Sequence, residues 1–311
     1  PTQFFTDGGR PVFAAPGDID DEGQLDFNAN RAVGGLGDVL TMTDDSESRT
    51  WSATFELDRQ FANNWSAGAS YAWSRTFDNS SFSCCFHNTA IIETTTGGNP
   101  NALGDPGDER SGSWGPADFD RTHVITLNTV YRDAFGLPGL QLSAFYRGQS
   151  GLPFTPTVGG DVNGDGRDSN DRAFVSQDQL FVDAQNRALL GSLIDRFDCL
   201  KEQEGRIATR NSCRNDWQHR FDARASFRLP TLAGQNIEIM ADVFNVLNLL
   251  NSEWGQFLSA GSTEDLVFVE GFDPVTQRFI YEANPQFGEQ RPFGFVPQQW
   301  QIQLGVRYNI N

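Results

Sequence analysis

No run of apolar residues in this chain approaches the roughly 18 that a membrane-crossing helix needs, so no transmembrane helix is expected in it. Lysine is nearly absent, Lys201 being the only one, and acids outnumber bases to a formal charge of -18. Phosphate binding needs a basic surface, so no nucleic-acid partner is expected. Histidine is scarce too. His87, His123 and His219 are scattered, with no H-E-x-x-H and no Ser or Cys nucleophile at motif spacing, so the chain is not expected to be an enzyme. Long aliphatic runs are missing, and the mean hydropathy of -0.45 argues against an ordinary soluble core. The chain starts at Pro1 with neither a Met nor a charged-then-apolar leader, and it reads as a mature or truncated product, a fragment of a longer protein.

What is present is alternation. From Gln298 to Asn311, Trp300, Ile302, Leu304, Val306, Tyr308 and Ile310 share one face of an extended chain, while Gln301, Gln303, Gly305, Arg307 and Asn309 share the other. An apolar face with an aromatic near each end is how a membrane β-strand reads, lipid side against lumen side between two aromatic girdles. The same period recurs. Trp51, Ala53, Phe55 and Leu57 oppose Ser52, Thr54, Glu56 and Asp58, and Trp65 to Thr76 repeats the pattern after a turn at Asn63-Asn64, which predicts a hairpin. Weaker alternation spans Phe119 to Arg132, and a clearer one begins at Leu140. Phe221, Ala223, Ala225, Phe227 and Leu229 oppose Arg220, Asp222, Arg224, Ser226 and Arg228, and Ile237, Ile239, Ala241 and Val243 oppose Glu238 and Asp242.

The connections carry the architecture. Short ones at 59–64, 133–138 and 230–235 alternate with long, net acidic ones at 77–118, 150–216 and 249–296, the last with short strands at Leu266–Val269 and Phe279–Tyr281. An outer-membrane barrel has this form, short turns facing the periplasm and long loops facing outside. The expectation is therefore an all-β fold: an antiparallel up-and-down transmembrane β-barrel segment of about seven strands over residues 49–311, open when alone, preceded by a surface segment at 1–48. That first segment holds ten acids against Arg10 and Arg31.

Several stretches together, Y-A-W-S-R-T-F-D at Tyr71 to Asp78, D-V-N-G-D-G-R-D-S-N-D-R at Asp161 to Arg172, R-N-S-C-R-N-D-W at Arg210 to Trp217, D-V-F-N-V-L-N at Asp242 to Asn248, and Trp254-Gly255, resemble the C-terminal barrel region of TonB-dependent outer-membrane receptors. The likeness is to the Oar-like subgroup, whose N-terminus carries a carboxypeptidase-regulatory-like domain. The resemblance implies import of a scarce solute, small or oligomeric, through a barrel of about 22 strands closed by a plug. It implies coupling to the TonB complex through an N-terminal part, contact with outer-membrane lipid, and residence in the outer membrane of a Gram-negative bacterium. Such barrels usually finish on an aromatic residue, and this chain departs from them at Ile310-Asn311.

Candidate sites are few. Asp161, Asn163, Asp165 and Gly166 match the first half of a calcium loop, with Asp171 one place before the twelfth position, which is Arg172; an Asx and Gly turn is the alternative. Cys199 and Cys213 lie in one polar segment at a spacing a disulfide could close in an oxidising compartment, against free thiols; Cys84 and Cys85 are adjacent, where a bond is strained. On the lumen face, Arg220, Asp222, Arg224, Arg228, Glu238 and Asp242 either line a solute path, seat a plug, or form an inter-strand charge ladder. Two rival readings are a secreted all-β binding module with calcium-ordered loops and a passive porin or adhesin barrel.

Overall fold

The computed structural model describes residues 2–3, 10–12, 15–24, 47–62, 64–78, 81, 114–164, 171–230, 235–292 and 298–309. The expectations on Cys84, Cys85, Asp165 and Gly166 lie outside those residues. The alternating stretches form one antiparallel wall: β1 (Ser48–Ala62), β2 (Trp65–Asp78), β3 (His123–Arg132) and β4 (Leu140–Gln149), then β6 (Gln218–Pro230), β7 (Asn236–Phe244) and β10 (Gln301–Asn309). Neighbours in the wall are neighbours in this series, and the order is open, from β1 at one edge to β10 at the other. Lengths of 9 to 15 residues suit a tilted crossing of the hydrocarbon layer.

Because each wall strand runs antiparallel to the next, the three short connections share one end and the three long ones share the other. Between β3 and β4 the chain turns through Asp133 and Phe135 at φ of 47° and 57°. The Gly139 N–H donates to Asp133 Oδ1 at 2.8 Å. Gly139 has φ +86°, and a Cβ there would lie 2.4 Å from the Arg228 carbonyl oxygen, so only glycine fits. Several strand ends differ from expectation: β1 runs on to Ala62, through most of the expected 59–64 connection, and β2 runs on to Asp78. β3 starts at His123 rather than Phe119, and β10 starts at Gln301, leaving Trp300 just outside it.

Register carries one apolar face across all seven strands. Phe55 lies opposite Tyr71, Tyr71 opposite Ile125 and Leu127 opposite Tyr146; Phe227 lies opposite Leu140 and Ile239, and Ile239 opposite Val306. A one-residue slip would scatter these residues over both faces. Phe55, Leu57, Leu304 and Val306 are among the most exposed apolar side chains of the described residues. Exposure on that scale, contiguous over a whole sheet face, is untenable in water and suits lipid.

The long connections were expected as polar, the third with short strands at Leu266–Val269 and Phe279–Tyr281. Those strands are present within longer ones, and the described parts of the second and third connections form a second layer, a cap, with its own core. Its sheet runs Leu180–Phe181, β9 (Arg278–Ala283), β8 (Thr263–Asp273), β5 (Pro153–Gly159), Cys213–Arg214, with β8 parallel to β5. Helix α1 (Ala184–Arg196) packs Leu190, Leu193 and Ile194 into it, and its N-cap Asp183 accepts the Asn186 N–H at 2.7 Å. A short helix α2 (Asp198–Lys201) follows. Phe154, Val158, Leu266, Val267, Phe279 and Phe287 complete the core. Arg10, Val12 and Ile19, expected at the surface, are buried, and Val12 and Ile19 belong to this same core.

Candidate functional site: the lumen face and the cap above it

Opposite the apolar face, alternation puts Arg220, Asp222, Arg224 and Arg228 of β6 beside Asp242 and Glu238 of β7. Arg224 faces Asp242 directly and grips it with two bonds, Nε to Oδ1 and Nη2 to Oδ2, the latter at 3.0 Å. Glu238 sits between Arg228 on one side and Arg307 of β10 on the other, with Arg307 Nη1 at 3.6 Å. Asp222 holds Arg220 Nε at 3.1 Å and accepts the Asn245 N–H at 2.8 Å. All six side chains expected on the lumen face are thus on one side of the wall, arranged as a ladder in which opposite charges meet across strands. Arg147 of β4, directly opposite Arg220, adds a like-charge neighbour that sequence reading did not single out.

A buried polar latch joins the cap to the outer end of β2. Arg210, fully buried, donates through Nη1 to the Asp78 carbonyl at 2.8 Å and carboxylate at 2.7 Å, and through Nη2 to Ser81 Oγ at 2.6 Å. Asn211, at φ 55°, donates its amide to the Pro116 carbonyl at 2.6 Å and to Asp118 at 2.7 Å. Arg214 pairs with Asp120 at 2.7 Å, and Asp120 in turn accepts the Thr76 N–H at 2.7 Å. A charge can be buried this far only when carboxylates and carbonyls replace its water. Nearby, Arg121 donates to the Ser150 carbonyl at 2.7 Å and lies over the Phe257 ring. Burial, followed by the charges of Arg147 and Arg214, lowers its guanidinium to about 10.

A second tie lies at the outer end of β7, where helix α3 (Val246–Leu250) begins. Asn245, at φ 54°, donates to the carbonyls of Gly255 and Gln298, the first at 2.9 Å and the second at 2.5 Å. Asn248 donates to the Ser252 and Trp254 carbonyls and accepts the Trp300 N–H at 3.2 Å. The two asparagines of D-V-F-N-V-L-N therefore bind the loop to the start of β10.

Of the calcium-like pattern, Asp161 Oδ1 accepts the N–H of Gly164, three residues on, at 2.6 Å, so the side chain orders the backbone at Gly164, which has φ +79°. Asp171 pairs with buried Arg10 at 2.9 Å and accepts the Val162 and Asn163 N–H groups. Among the described residues, no cluster of three His, Cys, Asp or Glu side chains is placed to hold a metal. Cys199 of α2 and Cys213 are joined in a disulfide with Cα atoms 5.2 Å apart, so the bond fastens a helix to the edge of the cap sheet.

At the outer rim of the wall lies a cleft of about 500 Å³. It is lined by Tyr146, Trp217, His219, Leu247, Trp254 and Leu258, with the polar Asp216, Glu253 and Gln290. Beside it run five near-parallel rings, Tyr71, His123, Trp217, His219 and Tyr146, with successive centroids 5.9 to 6.2 Å apart. Each tyrosine hydroxyl is hydrogen bonded to its histidine Nδ1, at 2.8 Å for Tyr71 with His123 and 2.7 Å for Tyr146 with His219. The sequence signal for this belt was present, since Tyr71, His123, Tyr146 and His219 lie on the apolar parity of four alternating stretches, but their meeting depends on register.

An antiparallel wall with a lipid-facing band, a polar ladder behind it and all long connections at one end defines a transmembrane β-barrel protein. The chain belongs to the outer membrane beta barrel domain family, whose description matches residues 12–257, and it resides in the outer membrane of a Gram-negative bacterium. No curated protein and no solved structure matches it.

Proposed function

We propose that this chain is part of a TonB-dependent outer-membrane receptor of the Oar-like kind, which imports a scarce solute. The observation that carries the reading is the latch. Arg210, Asn211, Arg214, Asn245, Asn248 and Trp254, all within the stretches that resemble that group, tie a packed cap to the outer rim of the wall. A packed cap fastened to the outer end of the wall suits capture and gated passage better than free diffusion, and the charged lumen face suits either a hydrated path or contact with a plug. In hydrocarbon, the unpaired edges of β1 and β10 require partner strands, which a larger barrel supplies.

Two measurements on the intact protein test this. In cells, site-specific crosslinking from its periplasmic side should capture TonB, and no capture under energised conditions would remove the coupling. In planar bilayers the protein should hold no steady open conductance. A stable ohmic pore would favour the passive porin instead.

A further inference from the structure

The rim cleft has a composition that neither the barrel wall nor the import reading calls for. Its lining combines aromatic faces (Tyr146, Trp217, Trp254), two carboxylates (Asp216, Glu253) and glutamine amides, and among the described residues it contains no lysine or arginine. Aromatic surface with a few convergent polar groups is the usual make-up of a small-ligand site. Without a cation the site does not suit phosphate, whereas carboxylate and amide oxygens accept from hydroxyl groups and flat rings cover the C–H face of a pyranose. The near-parallel rings beside the cleft have centroids about 6 Å apart, so they are offset rather than stacked face to face, and part of each ring is left uncovered. Trp217 and Trp254 are 44% and 54% exposed, open to a ligand although they line a concave site.

Position selects the source of the sugar. Tyr146 and His219 belong to the lipid-facing side of the wall by register, Tyr146 opposite Phe221 and His219 opposite Gly148, at the outer ends of β4 and β6. The cleft therefore continues the lipid-facing band upward, to the level where the outer leaflet presents its saccharide headgroups. We infer that this cleft binds the saccharide portion of an outer-leaflet glycolipid, with Trp217 and Trp254 as stacking surfaces and Asp216 and Glu253 as hydroxyl acceptors. The inference rests on the outer-membrane location and not on the import reading, and its test contains no transport step, so the two can fail separately.

The intact protein in detergent micelles is incubated with lipopolysaccharide carrying its core sugars or with lipid A lacking them, and bound lipid is counted by native mass spectrometry. The sugar-bearing lipid should be retained about tenfold better, an advantage of the size aromatic contact supplies. Trp254→Ala should abolish that preference and Glu253→Gln should weaken it, while Trp65→Ala, at the opposite end of the wall, should leave it intact. Equal retention of the two lipids, or a preference unchanged in both cleft variants, would overturn the inference. If a cleft variant fails to fold, competition decides on the unaltered protein: excess free core oligosaccharide should displace the bound glycolipid, and no displacement would refute the site.

Discussion

Placing an arginine at Leu304 tests the assignment of the two faces most directly. Leu304 is the fourth of nine residues in β10, lies opposite Ala241, and is 76% exposed on the apolar side of the wall. If that side meets hydrocarbon, a guanidinium near the midplane costs roughly 2 to 4 kcal/mol. At about 1.4 kcal/mol per tenfold, the folding equilibrium in a bilayer should shift by roughly 30- to 700-fold. Gln303 is one residue away and supplies the control. It lies on the opposite face, directly across from Asp242, where an arginine finds water and a carboxylate. Gln303→Arg should therefore stay within about 0.5 kcal/mol of the parent. The assay is urea unfolding of the intact protein refolded into lipid vesicles, with the folded fraction read by heat-modifiable gel migration. Equal midpoints for the two variants, or a greater loss for Gln303→Arg, would mean that the faces are reversed or that the apolar side does not meet lipid.

Removing the buried guanidinium in Arg210→Ala leaves Asp78 without its partner and should destabilise the cap by roughly 3 to 5 kcal/mol, seen as faster hydrogen exchange in β5 and β8 while β6 and β7 keep their protection. Alkylation of unreduced protein should label neither Cys199 nor Cys213, and Cys199→Ser should cost the closed loop of about 15 residues roughly 3 kcal/mol, read as new protease cleavage between those positions. Burial raises the Glu264 carboxyl to about 7, against the Gly288 N–H and Arg291, with Asp265 and Glu289 adding to the rise. Its folded value exceeds the unfolded one of about 4.3, so the folded cap binds the extra proton, and cap stability should fall as pH rises from roughly 4.5 to 7 and stay low above that. Glu264→Gln should flatten this slope in cap hydrogen exchange between pH 5 and pH 8, and a slope unchanged in that variant would assign the dependence to another group. A double-mutant cycle on Arg224 and Asp242 should return a coupling of roughly 0.2 to 1 kcal/mol, the value of one cross-strand pair.

The sequence alone determined the wall, because a strand with one side in lipid and the other in water must alternate at every residue, and that pattern survives without knowledge of any partner. Trp51 to Leu57, Phe221 to Leu229 and Ile302 to Tyr308 show it, and the alternation of short with long connections set the meander and its sense. The lumen residues Arg220, Asp222, Arg224, Arg228, Glu238 and Asp242 followed from the same parity. Only the tertiary structure decided the cap. Residues 150–216 read as one long connection, yet β5 within it is buried along nearly its whole length because β8, more than 100 residues away, supplies a parallel partner. Helix α1, which the reading of 150–216 as a connection missed, does carry local marks in its N-cap Asp183 and in Leu190, Leu193 and Ile194, three and four residues apart on the buried face. The contacts of Arg210 with Asp78 and of Arg10 with Asp171 span 132 and 161 residues, and the ring series at the rim crosses four strands. No local period encodes such meetings. They exist because the register of the wall, itself dictated by keeping charge out of lipid, brings distant loop residues to the same rim.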